Sequence, residues 1–122
     1  MSLKKITAKF FTIYLMFFLS TPSAYAAGYY LENLTIKRIR TVGEYSNFSN
    51  TVELWFNETL TYPSGAQCTS TFRVHIDAKH KHVISAAYLA MMSGKKVSVY
   101  ANESLPIRGG SCEISYLDVV NN

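Results

Sequence analysis

The side chains that could do chemistry are few in this 122-residue sequence. His75, Asp77, His80 and His82 bring metal-ligating atoms close together. His80 and His82 are two apart, so on a helix they point to different sides and cannot chelate as an i, i+4 pair would. At a helix start they serve as well as a solvated first turn, and a pH-switch role rests on residue type alone. Cys68 and Cys112 are the only cysteines. Neither has a Cys-x-x-Cys neighbour, so a metal site is not expected. No serine sits in a Gly-x-Ser-x-Gly elbow. Glu53, Glu58, Glu103 and Glu113 are scattered, with no evident acid–base pair. The chain therefore reads as non-enzymatic, with no catalytic residues, metal or cofactor. A small hydrolase is the least supported class.

Trp55 is the most informative single side chain. It falls on the polar phase of an expected strand, beside Glu53 and Asn57. There a ring can stack on a sugar, fill an interface pocket, or lie half covered by its own sheet. Lys37, Arg38, Arg40 and Arg73 form either a basic outer patch or an ordinary solvated face. Four Asn-x-Ser/Thr sequons, at Asn33, Asn47, Asn57 and Asn102, fit polar loops as simply as glycan acceptors.

Several elements must position these residues. Residues 1–26 have the layout of a cleaved export signal. Lys4, Lys5 and Lys9 form the basic region, Phe10 to Leu19 the apolar region, and Ala24-Tyr25-Ala26 the cut. The apolar run is too short to span a bilayer, which needs about 20 residues, so membrane insertion is not expected. One domain, 27–122, follows, and a secreted or periplasmic location with it. Without the three leader lysines, nine basic residues face eight acidic ones, a net charge of +1. That balance gives no electrostatic case for nucleic acid. An even cysteine count in an exported chain argues for a Cys68–Cys112 disulfide over two free thiols.

The pattern predicts five strands and one helix. The strands are 34–42, 52–56, 68–76, 97–100 and 112–120, and the helix is 79–92. Ile36 and Ile39 are three apart, so a bulge is needed to keep the first strand in phase. Asp77 is placed to cap the helix and Gly94 to stop it. The order β-β-β-α-β-β is that of the OB-fold, a five-stranded Greek-key barrel, which is the expected fold; an open α+β sandwich with the same element order is the alternative. The helix carries apolar residues nearly all round, with Ile84, Ala87, Tyr88 and Met91 on one stripe and Val83, Ala86 and Ala90 on another. One small sheet cannot cover both. Val83, Ile84, Ala86, Ala87, Ala90 and Met91 are thus the expected contacts to another copy, a partner or a surface.

With these elements in place, the chain resembles the binding subunits of bacterial AB5 toxins, closest to the subtilase-cytotoxin and pertussis-like branch. The likeness lies in Tyr29-Tyr30, Thr41-Val42-Gly43, Val74-His75-Ile76-Asp77 and Ser93-Gly94-Lys95-Lys96-Val97-Ser98-Val99-Tyr100. It implies an OB-fold, a homopentameric ring with the helices lining its pore, an enzymatic A subunit beside it, and binding of host cell-surface glycans. Tyr30, Trp55, Arg38 and Arg73 become the glycan-contact candidates. Leu31 stands where sialic-acid-binding members place a serine. The competing expectation is a monomeric or dimeric periplasmic interaction module of the inhibitor or immunity type.

Overall fold

The computed structural model describes residues 28–121, so the expected leader lies outside the described residues. The chain forms β1 (Gly28–Leu34), β2 (Ile36–Val42), a 3-10 turn (Ser46–Phe48), β3 (Thr51–Phe56), β4 (Arg73–Asp77), α1 (Lys81–Ser93), β5 (Lys96–Asn102) and β6 (Glu113–Val120). The strands make one six-stranded sheet in the order β1-β5-β6-β4-β3-β2. All neighbours run antiparallel except β4 and β6, which are parallel. The protein is mainly β with one helix and one disulfide.

The expected first strand is two strands. Thr35 alone separates β1 from β2, yet they occupy opposite ends of the strand order. The break is pinned from outside: the Thr35 N–H and hydroxyl donate to the two Glu58 carboxylate oxygens at 2.6 and 2.9 Å. Burial would raise the Glu58 pKa, but hydrogen bonds from Thr35 and from the Glu58 backbone, with the Lys96 charge, together outweigh it and hold the carboxyl below its ordinary value. The bulge required by the Ile36–Ile39 spacing is present, as a register shift between Ile36 and Arg38 against β3. The expected 68–76 strand contracts to Arg73–Asp77. Its first residues are drawn elsewhere, because Thr69 and Ser70 both donate their N–H to the Gly110 carbonyl at 2.9 Å. Phe72, within the expected strand, lies outside β4 and is exposed.

Cys68 and Cys112 are bonded, with their Cα atoms 5.5 Å apart. The bridge ties the irregular segment before β4 to the residue before β6 and closes a loop of 44 residues. By chain entropy alone, such a closure contributes about 4 kcal/mol. It fits an oxidising compartment. Among the described residues, no helix is long and apolar enough to cross a membrane.

The helix starts two residues later than expected. Asp77 accepts from the Lys79 N–H at 3.0 Å through its side chain and from the His80 N–H at 3.0 Å through its carbonyl. It closes a turn ahead of the helix, and His80 occupies the cap position without a side-chain cap bond. The stop is as expected: Gly94 is left-handed at φ 68°, and the Lys95 N–H reaches back to the Ala90 carbonyl at 2.9 Å. Ala87 and Ala90 pack fully buried against a core of Leu54, Phe56, Val74, Ile76, Val97, Val99 and Ile114. Val83 and Ile84 pack partly buried on the same core. Small residues at 87 and 90 let the helix approach the sheet closely.

Candidate functional site

The structure separates the four glycan-contact candidates. Arg38, Trp55 and Arg73 meet on β2–β4, where Arg38 lies opposite Trp55 and Trp55 opposite Arg73. Tyr30 lies on β1, at the other end of the strand order.

At the first place the tryptophan ring is already occupied. The Arg38 and Arg40 guanidinium carbons sit 4.7 and 4.8 Å from its centroid, and the Phe72 ring centroid is at 4.8 Å. The Trp55 indole N–H is buried without a partner. A sugar stacking on Trp55 would first have to displace these neighbours. The ring serves instead to hold guanidinium groups in place, as cation–π contact does. Arg73 is held over Phe48, its guanidinium carbon 4.8 Å from that ring centroid. Arg73 donates to Glu53 Oε1 at 2.5 Å, and Arg40 lies 3.7 Å from Glu53 Oε2. The Glu53 carboxylate is only 2% exposed although it stands on the outward phase of β3. Burial there comes from two covers: the 43–50 turn and the 103–112 loop, joined where Arg108 donates to the Asn47 carbonyl at 2.6 Å. Beside Glu53 is a cavity of about 380 Å³, lined in part by Arg40, Tyr45, Phe48 and Arg73.

The same covers seal a row of polar groups. Glu53, His75 and Glu113 stand abreast on β3, β4 and β6. His75 Nδ1 is 3.2 Å from the Ser111 hydroxyl, and Nε2 is 3.9 Å from Glu113. Burial drives the His75 pKa down to about 4, helped by the Arg108 and Arg73 charges and opposed by the Pro106 carbonyl and Asp77. Burial, then the Asp77 charge, pushes the Glu113 carboxyl up. A serine, a neutral histidine and a carboxylate in line have the composition of a hydrolytic relay. Ser111 and His75 are both wholly buried, so this array has no path to a substrate. The His80 and His82 ring centroids lie 6.4 Å apart, and no three His, Cys, Asp or Glu among the described residues are grouped to hold a metal.

At the second place, Tyr30, Tyr100 and Tyr116 lie directly opposite one another across β1, β5 and β6. Tyr100 and Tyr116 stack, with centroids 5.1 Å apart and an interplanar angle of 12°. Tyr30 lies 6.2 Å from Tyr116 and donates its hydroxyl to Asp118 at 2.6 Å. That hydrogen bond, first, raises the Tyr30 pKa. Gly28 makes room for this row, because a Cβ on it would overlap the outer end of the Tyr100 ring and push it aside. Tyr30 and Tyr116 are 44% and 45% exposed. Among the residues sequence reasoning missed, Tyr100 and Tyr116 were each readable as outward by alternation with Val99, Ala101 and Leu117. Only the strand order aligns them with Tyr30.

On α1, the residues expected at an intersubunit contact divide. Val83, Ile84, Ala87 and Ala90 face the sheet of their own chain, Ala86 is half-buried, and Met91 is exposed. The uncovered apolar stripe runs through Tyr88, Leu89 and Met92, of which Leu89 is 64% and Met92 83% exposed.

No protein-family model matches this chain, and no curated protein matches it.

Proposed function

We propose that the protein is the secreted, non-enzymatic binding subunit of an AB5-type bacterial toxin, assembling as a ring of copies, five in the expected form, that recognises host cell-surface glycans. The observation that carries this reading is the uncovered stripe of α1. Leu89 and Met92 leave apolar surface in water on a helix whose other flank is already packed. Burying that stripe against neighbouring helices removes the cost at about 25 cal/mol per Å². A closed ring of identical copies does so without leaving an open end.

The strand order supports an OB-type barrel. If β1 and β2 are two halves of one bent strand, the elements reduce to five strands with the helix between the third and fourth. The two ends of the strand order are then the same strand.

For glycan contact, the tyrosine ladder is the better support. It offers open aromatic faces beside the Asp118 carboxylate, which can accept sugar hydroxyls. The enzymatic A subunit remains part of the proposal as a partner seated on the ring.

Native mass measurement of the exported protein at micromolar concentration is the test. A ring mass supports the reading, and a monomer overturns it. A glycan array that is silent for wild type, with specific capture of a bacterial protein, would favour the inhibitor or immunity-type module.

A further inference from the structure

We propose that the Tyr30–Tyr100–Tyr116 row is an oxidative modification site, at which a haem peroxidase with hydrogen peroxide joins Tyr100 to Tyr116 within one chain as dityrosine, Asp118 taking the first proton from Tyr30. This goes beyond the reading above and depends on neither the ring of copies nor glycan contact.

Geometry selects the pair. Tyr100 and Tyr116 lie opposite one another on β5 and β6, with ring centroids 5.1 Å apart and planes 12° from parallel. A tilt of one ring brings together the carbons ortho to the two hydroxyls, and Tyr116, 45% exposed, has room to tilt. Tyr30 is the entry point. It is 44% exposed, lies 6.2 Å from Tyr116, and donates to Asp118 at 2.6 Å, the length of a hydrogen bond to a charged acceptor. A phenol gives up an electron readily only when its proton has somewhere to go, and Asp118 receives it. The Glu32 charge beside Tyr30 also favours loss of the electron. The vacancy then passes to the stacked pair as Tyr30 recovers its proton. Two such oxidations leave a radical on Tyr100 and one on Tyr116, each phenol proton going to water. The radicals combine carbon to carbon, and the displaced ring hydrogens move to the oxygens, restoring both hydroxyls. Overall, the two rings lose one hydrogen atom each, and one peroxide is reduced to two waters.

Each of the other oxidisable rings lacks one of these conditions. Trp55 has the Arg38 and Arg40 guanidinium carbons 4.7 and 4.8 Å from its centroid, and their charge opposes a positive vacancy. Its indole N–H is buried with no partner to take the proton. Tyr29 and Tyr62 meet edge-on at 5.6 Å, but the Tyr62 hydroxyl is buried without a partner. Tyr45 and Tyr88 are exposed, yet neither stacks on a second tyrosine among the described residues. The Cys68–Cys112 disulfide fits a compartment without a reducing thiol pool, where peroxide persists.

The exported protein is treated with a haem peroxidase and limiting hydrogen peroxide, then reduced at its disulfide and digested with trypsin. Cleavage after Lys96 and Arg108 gives segments 97–108 and 109–122, whose single tyrosines are Tyr100 and Tyr116. The expected product is these two segments joined, lighter by two hydrogens than their sum. It comes from a chain that stays single on a denaturing gel and carries dityrosine fluorescence. Tyr100→Phe and Tyr116→Phe should each abolish it, and Asp118→Asn should slow its formation severalfold. Tyr45→Phe should leave yield and rate unchanged. Four outcomes overturn the proposal: no joined segments, dityrosine only between chains, oxidation of Trp55 with the row intact, or an unchanged rate in Asp118→Asn. None of these is read by native mass or by glycan array, so failure here is distinct from failure of the toxin-subunit reading.

Discussion

The two ends of the sheet carry aromatic rings for opposite purposes. On β2–β4, Trp55 is pressed between arginines and Phe72, and the Arg73–Glu53 pair beside it is covered. On β1, β5 and β6, the tyrosines form an open row with one hydroxyl–carboxylate bond. The contrast teaches that an aromatic residue on the outward phase of a strand is not thereby available. Loop cover decides it: the 43–50 turn and 103–112 loop close over the first end, joined by the Arg108–Asn47 bond.

If that contrast is right, substitutions at the two ends should differ most in stability. Arg73→Met strands the Glu53 carboxylate in a buried place, and should cost about 3–5 kcal/mol. A shift in the urea midpoint worth less than 1 kcal/mol would mean that the covers admit water and the two ends are alike. Cys68→Ser releases the bridge that fixes the segment against which Gly110 is tied. It should cost about 2–4 kcal/mol, with a melting-point drop of order 10 °C for a chain of this size.

The third test uses acid. His75 is held neutral in the fold, its pKa about 4 against an ordinary 6.5. Its stabilising contribution is therefore complete above pH 6.5 and is lost as pH falls toward 4, a range worth about 3 kcal/mol. Glu113 works the other way: its raised pKa relieves a cost as pH falls, so the net loss is smaller. His75→Gln should flatten the stability profile between pH 6.5 and 4, measured by urea midpoints across that range. The smallest effect is expected at the open end. Tyr116→Ala should change stability by under about 1 kcal/mol, since the ring is exposed, while reducing binding on a glycan array. Retained binding would remove the ladder from the glycan-contact proposal.

Much of the fold could be read in the chain. The Ile36–Ile39 slip located a real bulge, Gly94 a real stop, and the cysteine pair a real bridge. Periodicity fixed the inward faces of β3 and β4 through Leu54, Phe56, Val74 and Ile76. What alternation could not show is that β3 and β4 are buried on both faces. Glu53 and His75 look like solvent-facing residues by phase, and the 43–50 turn and the distant loop at 103–112 make them interior. The break at Thr35 was hidden for a related reason, because it depends on Glu58, 23 positions away. On the helix, the two apolar stripes were visible, but not that the sheet would take part of each, Ile84 and Ala87 from one and Val83 and Ala90 from the other. Ala87 and Ala90 fit close packing, and so the bulkier Tyr88, Leu89 and Met92 were left outside.

The single-residue gap at Thr35 also has a mechanical side. An amino-terminal tether would peel β1 from β5 one pair at a time, starting at Gly28 and Asn102. The tear would then arrive at the Thr35–Glu58 clamp before β2 felt any load. Under force the two outermost ribbons should come away in separate steps, with a pause between them at residue 35.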